Sequence, residues 1–173
     1  MAAIGDKMRK ALNEQVKWEL YSSYLYLSMS AYFSSINLPG FTHWMKVQAQ
    51  EELLHAMMIY DYIVEREGRI ELLGIEKPPF EWDSPLQVAE EVYAHEQKVT
   101  GMINNLVDLA YLEKDHASLS MLQWFIEEQV EEESNAKGIV EKLKMVSDDG
   151  GMGVLYMLDR DLELRPPKLQ ETS

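Results

Sequence analysis

The sequence predicts an all-α protein: a four-helix bundle with one long crossover between its second and third helices, and a short fifth helix near the C-terminal end. Three observations carry this expectation. Four long stretches repeat apolar side chains at alternating steps of three and four residues, the period of a single helix face. Two of the three connections between them are tight turns, whereas the third, residues 69–83 (RIELLGIEKPPFEWD), has no helical period and contains Pro78-Pro79. The prolines fall at the edges of these stretches, where they start and stop helices, and no glycine or proline occupies a stripe position.

The first helix is expected from Gly5-Asp6 to about Ser34, with the stripe Met8, Leu12, Gln15, Glu19, Ser22, Tyr26, Met29 and Phe33. Ile36 to Gly40 is a short turn, in which Pro39 suits the first position of the next helix. The second helix covers Phe41 to Arg66, with the stripe Phe41, Met45, Gln48, Glu52, His55, Ile59 and Tyr62, and Gly68 is expected to supply a left-handed cap. A structureless connection as long as residues 69–83 implies a crossover along the bundle and not a tight hairpin. Ser84-Pro85 gives an N-cap followed by proline at the first helical position. The third helix then runs to about Leu112 on Ala89, Val92, Glu96, Val99, Ile103, Leu106 and Ala110. Asp115 can cap the fourth helix, whose stripe is Leu122, Phe125, Gln129, Glu132, Ala136, Ile139, Leu143 and Val146. Asp149 to Gly153 breaks it, a fifth helix spans roughly Val154 to Leu162, and Pro166-Pro167 opens a polar tail.

A chain of 173 residues is long enough for one domain with a full core, and we expect residues 1–173 to form one, with the bundle at about 5–147. The formal charge of −14 argues against nucleic acid or an anionic membrane as partner and favours small cations. With no cysteine there is no disulfide, thiolate zinc site or iron–sulfur cluster. The charged first fifteen residues lack the apolar core of a signal peptide, and no later stretch has the length and apolarity of a membrane span, so a cytoplasmic protein is expected.

Each stripe is apolar at both ends and polar in its middle. Glu52 and His55, three residues apart, stand side by side on one helical turn and can hold a single cation. Residues equally far from a hairpin turn lie at similar heights in its two helices. Glu19 stands 19 residues before Leu38, and Glu52 and His55 stand 14 and 17 after it; Glu96 stands 18 before Lys114, and Gln129 and Glu132 stand 15 and 18 after it. All six therefore fall in one layer near mid-bundle: four carboxylates, one imidazole and one amide. Burying an unpaired carboxylate costs several kcal/mol or a large pKa shift, and no Lys or Arg occupies the stripes to offset four of them. Two divalent cations would. An oxygen-rich set with one imidazole and no sulfur suits iron or manganese better than a closed zinc site.

These residues resemble the metal site of the ferritin-like di-iron superfamily, and the whole chain, long crossover and short last helix included, resembles a non-haem ferritin of bacterial or archaeal type. The resemblance implies a ferroxidase centre with Glu19, Glu52 and His55 at one iron and Glu52 bridging to a second iron held by Glu96, with Gln129 and Glu132 close by. Tyr26 matches the family's tyrosine beside the iron pair, and Trp124 also fits the family. A third, weaker iron site would involve Glu51, Glu128, Glu131 and Glu132, although residues 127–133 (EEQVEEE) also read as a solvated acidic face. His43, His95 and His116 lie off the stripes and are expected at the surface, with Glu113, Asp115 and His116 as candidates for an ion-entry channel.

The implied activity is oxidation of Fe2+ by O2 or peroxide and storage of the product as a mineral inside a homo-oligomeric cage of about 24 chains. Leu155, Met157, Leu158 and Leu162 of the last helix would then be interface residues. Leu53 stands where bacterioferritins carry a haem-ligating methionine, so no haem is expected, and the lack of Cys removes the iron domain that rubrerythrins usually add. The competing expectations are a bacterioferritin- or rubrerythrin-like di-iron peroxidase and a non-catalytic helical interaction module.

Overall fold

The stripes join four long helices: α1 (Asp6–Ser35), α2 (Pro39–Glu65), α3 (Pro85–Glu113) and α4 (His116–Asp148), followed by the short α5 (Met152–Glu163). The computed structural model describes residues 3–148 and 151–166; the expected break at Asp149-Gly150 and the proline at 167 lie outside the described residues. Pro39 and Pro85 take the first helical positions of α2 and α3. Ser84 Oγ accepts from Gln87 N at 3.1 Å, and Asp115 Oδ1 accepts from Ser118 N at 3.1 Å, so both anticipated caps form.

The end of α2 differs from expectation. The left-handed residue is Glu67 (φ 57°), not Gly68, and the amides of Gly68 and Glu67 return to Ile63 O and Val64 O at 2.8 and 3.0 Å, the paired bonds of a Schellman cap. Gly68 is required for closeness instead: a Cβ there would lie 2.8 Å from both Ile4 Cγ2 and Ile63 Cγ2. Helices α1 and α3 end the same way on Asn37 (φ 59°) and Lys114 (φ 54°).

The core has two halves. Met8, Leu12, Ile59, Ile63, Ile103, Leu106, Leu122 and Phe125 fill the end where α1 and α4 begin and α2 and α3 finish. Met29, Phe33, Phe41, Trp44, Val88, Val92, Ile139 and Leu143 fill the opposite end. This division fixes the directions, with α1 and α4 running one way and α2 and α3 the other. Chain leaving α2 must therefore travel the length of the bundle before α3 can start. A thirty-residue helix such as α1 is about 45 Å long, and the fifteen residues 69–83, nearly extended, span roughly 50 Å. The crossover is strapped to α1: Asn13 accepts from Glu71 N (3.0 Å) and donates to Arg69 O (3.3 Å), and Ser28 Oγ donates to Pro79 O (2.6 Å). Trp82 is buried at its far end, its indole N–H donating to Glu91 Oε2 at 2.7 Å.

Helix α5 corrects one expectation. Leu158 and Leu162 are buried in the second core half, with Leu155 packed against it, so these three belong to the chain's own core; Met157 is exposed. Buried Asp159 explains the docking. Its Oδ1 accepts from Phe41 N (3.0 Å), giving α2 the N-terminal cap that Leu38 lacks. Gly40 makes room for this contact, since an added Cβ would sit 1.6 Å from Asp159 O. Among the described residues, no helix is long and apolar enough to cross a membrane.

Gly40→Ala is accordingly expected to lower the unfolding free energy by about 1–3 kcal/mol in urea melts, the range for overpacking. Limited proteolysis should then cut within α5 while leaving the four long helices intact.

Candidate metal centre

The two core halves are separated by a polar layer, as the heights of the residues along each helix predict. Glu19, Glu52, His55, Glu96, Gln129 and Glu132 are all buried in it. Ligand atoms of Glu19, Glu52 and His55 lie within 4.8 Å of one another, and this is the group of three or more such donors found among the described residues. Within it, Glu52 Oε2 stands 3.3 Å from His55 Nδ1, and Gln15 Nε2 donates to Glu19 Oε1 at 2.7 Å. The His55 ring is held edge-on between Trp124 (5.3 Å between centroids) and Phe125 (6.0 Å).

On the other side of Glu52, the Tyr26 hydroxyl donates to Glu96 Oε1 and Gln129 Nε2 donates to Glu96 Oε2 at 3.2 Å. Gln48 Nε2 donates to Glu132 Oε2 at 2.8 Å, while Gln48 Oε1 is buried with no hydrogen-bond partner. An orphaned acceptor among carboxylates fits a layer built to surround cations.

The electrostatics agree. Burial, then the charge of Glu52, pushes the Glu19 carboxyl up to about 8. Burial and Glu132 push Glu96 up to about 7, and burial with Glu96 and Glu132 holds Glu52 well above the usual carboxylate range. Tyr26 is raised for the same first reason, burial, and then by Glu96. Carboxyls that resist ionisation next to one another are poised to exchange protons for a metal cation.

The third set is arranged differently. Glu51 is buried, with Arg165 Nη2 at 3.5 Å from its Oε2, Glu128 is half-buried and Glu131 exposed, and they do not form a further three-donor cluster among the described residues. The histidines correct another expectation. His116 is exposed, but His95 is buried, with Nε2 2.7 Å from Ser22 Oγ, and half-buried His43 has Nε2 2.8 Å from Arg165 O. Of the channel candidates, Asp115 is taken up by Arg66 (3.1 Å) and Ser118, and Glu113 by Lys7 (3.0 Å). Sequence reasoning missed His95 because it precedes Glu96 and so lies one position off the α3 stripe; Ser22, its partner on the α1 stripe, was the available signal.

A bundle of this connectivity with a buried Glu, Glu-x-x-His layer defines a ferritin-like protein. The comparisons place it further. Residues 9–146 match the model of the ferritin-like domain family. A bacterial non-heme ferritin of Bacteroides fragilis is 44% identical over 162 residues, 94% of this chain and 99% of that protein. A probable bacterial non-heme ferritin-like protein of Haemophilus influenzae is 36% identical over 92% of this chain and 95% of its own. The open pore ferritin of the hyperthermophilic archaeon Archaeoglobus fulgidus superposes with a TM-score of 0.93 at 53% identity, covering 96% of this chain and all of that one. The chain belongs to the ferritin family, in its non-haem branch, and these relatives support iron storage as its role.

The raised carboxyl pKa values fix a sign for stability. In the metal-free protein the folded state holds protons that the unfolded state releases above its ordinary carboxyl value of 4.5, so stability is fully present below that pH and is lost as pH rises through about 7 and 8. Thermal melts of metal-free protein are expected to show a lower midpoint at pH 8 than at pH 5, and added Fe2+, under anaerobic conditions, should restore the difference.

Proposed function

We propose that the chain is an iron-storage ferroxidase. The observation that carries this is the convergence of Glu19, Glu52 and His55 to within 4.8 Å inside the core, beside the buried Glu96, Gln129 and Glu132. Fe2+ is the substrate. One ion takes Glu19, Glu52 and His55; a second takes Glu96, with Glu52 shared between them and Gln129 and Glu132 alongside. The carboxylates give up their protons, offset the charge of the pair, and hold two one-electron donors next to each other. Oxidation then balances as 2 Fe2+ + O2 + 2 H+ → 2 Fe3+ + H2O2, or with peroxide as 2 Fe2+ + H2O2 + 2 H+ → 2 Fe3+ + 2 H2O. Tyr26, bonded to Glu96, fixes the orientation of that carboxylate. The product Fe3+ leaves for a mineral store, which requires an enclosed volume that one bundle lacks. We therefore propose a closed homo-oligomer of about 24 chains, a symmetry that stops growth. The exposed apolar side chains Ile36, Met152, Tyr156 and Met157, around the end of the bundle where α5 sits, support an interface there.

Anaerobic titration is expected to saturate near two Fe2+ per chain, about one per pair of layer carboxylates, with release of protons. On admission of O2, wild type should show a fast oxidation phase that Glu52→Ala abolishes, because the shared carboxylate serves both ions. His55→Ala should weaken the first position most and Glu96→Ala the second, whereas Glu131→Ala should spare the fast phase. A Glu52→Ala protein that oxidises its first two irons at the wild-type rate would show that the layer is not the ferroxidase centre.

Sedimentation tests the assembly: a species that stays monomeric or dimeric across salt and concentration would rule out the cage. Protein expressed with ample haem should show no stoichiometric Soret band, since Leu53 has no atom that ligates iron.

A further inference from the structure

Gln129 differs from the carboxylates of the layer in having two chemically opposite ends, an amide oxygen that can ligate a cation and an NH2 group that repels one. Which end meets an incoming ion depends on what holds the other. Nε2 donates to three oxygens of α3: Glu96 Oε2 at 3.2 Å, Glu96 O at 3.3 Å and Thr100 Oγ1 at 3.3 Å. Among the described residues no hydrogen-bond donor meets Oε1.

Of the three acceptors, only Thr100 could have been a donor instead. A hydroxyl has one proton, and that of Thr100 goes to Glu133 Oε1 at 2.6 Å, because an ionised carboxylate can only accept. Oγ1 is left to accept, so it takes the NH2 end of Gln129. A reversed amide would set Oε1 against two acceptors, the Thr100 oxygen and the Glu96 carbonyl. Thr100 follows Glu96 by four residues on α3, and Glu133 follows Gln129 by four on α4, so the four side chains close a rectangle across the two helices. Its inner side, Glu96 and Gln129, is buried in the layer; its outer side, Thr100 and Glu133, is half-buried.

We propose that Thr100 and Glu133 are positioning residues for the second metal position: Glu133 takes the Thr100 proton, Thr100 takes the NH2 group of Gln129, and Gln129 is left presenting Oε1 to Fe2+. This rests on the ferroxidase reading above, in which the second ion takes Glu96. Loading that ion makes the outer pair necessary. The Glu96 carboxylate is then given over to metal, and Glu96 O already serves the Thr100 amide in the α3 ladder, so Thr100 Oγ1 is the partner of Nε2 that stays uncommitted. Remove it, or release its proton from Glu133, and the amide is free to turn its N–H bonds toward the cation. The first position uses Glu19, Glu52 and His55 and touches neither residue.

Cobalt tests this without turnover. Metal-free whole protein is titrated with Co2+ under anaerobic conditions, and the two binding steps are read from the visible absorption, which reports the ligands of each ion. Wild type is expected to bind a pair of Co2+ per chain that Glu52→Ala loses. Thr100→Val keeps the shape and removes the hydroxyl; it should weaken the second step about fivefold, the order of one hydrogen bond, and shift the second ion's band while leaving the first step unchanged. Thr100→Ser should restore both. At Glu133 charge and hydrogen bonding are separated, since Glu133→Gln and Glu133→Leu remove the same charge but only Gln keeps an acceptor for the hydroxyl. Glu133→Gln is expected to match wild type and Glu133→Leu to match Thr100→Val. Glu133 is half-buried at the rim, so these two variants keep the core intact. If wild type binds no pair of ions that depends on Glu52, the reading of the layer fails. If the pair is present and Thr100→Val and Glu133→Leu bind the second ion as wild type does, or if Glu133→Gln loses as much as Glu133→Leu, the positioning role alone is overturned.

Discussion

Four carboxyl groups stacked between two dry apolar half-cores are the constraint on which this structure depends. Each would rather be in water, and the effective penalty for burying an ion is several kcal/mol even after relaxation. The chain meets that cost in two ways at once. It surrounds the layer with donors it can supply, namely Gln15, Gln48, Gln129 and the Tyr26 hydroxyl, and it leaves the remaining deficit as raised pKa values and an orphaned amide oxygen. Apolar packing above and below makes the arrangement sustainable, because the bundle has long helices and two complete core halves with which to hold the layer closed.

Much of this was legible in the sequence because helices obey a fixed rise. Counting from Leu38 and Lys114 sets the heights of Glu19, Glu52, His55, Glu96, Gln129 and Glu132 before any coordinate is known, and the structure buries all six in one layer. Helix ends were legible where a side chain does the capping, as at Ser84 and Asp115. They were less so where the backbone caps itself: Asn37, Glu67 and Lys114 adopt the left-handed conformation although glycine is the residue usually expected there, and Gly68 is glycine for a packing reason that no local pattern reveals.

The other misreadings share one cause, which is that a stripe describes one face of a helix and says nothing of its flanks. His95 precedes Glu96 and so lies off the α3 stripe, yet α1 packs close enough there to bury it against Ser22 and Tyr26. Likewise α5 has the pattern of an interface helix, and only the long-range pairing of Asp159 with the start of α2 turns Leu158 and Leu162 inward. Contacts between residues more than a hundred positions apart carry no signature in either partner alone.

The crossover has a consequence for how the protein comes into being. Its route along α1, fastened at Asn13 and Ser28, separates the chain into two hairpins whose internal contacts are local and quick to form, and whose mutual docking must close a long loop. The first hairpin carries Glu19, Glu52 and His55; the second carries Glu96, Gln129 and Glu132. Under the proposed division of the layer, a nascent chain that has released only its first half carries the residues of one cation position and lacks those of the other. On that proposal, paired chemistry is withheld until synthesis has passed the second hairpin, and the order of translation keeps unfinished molecules from handling two metal ions together.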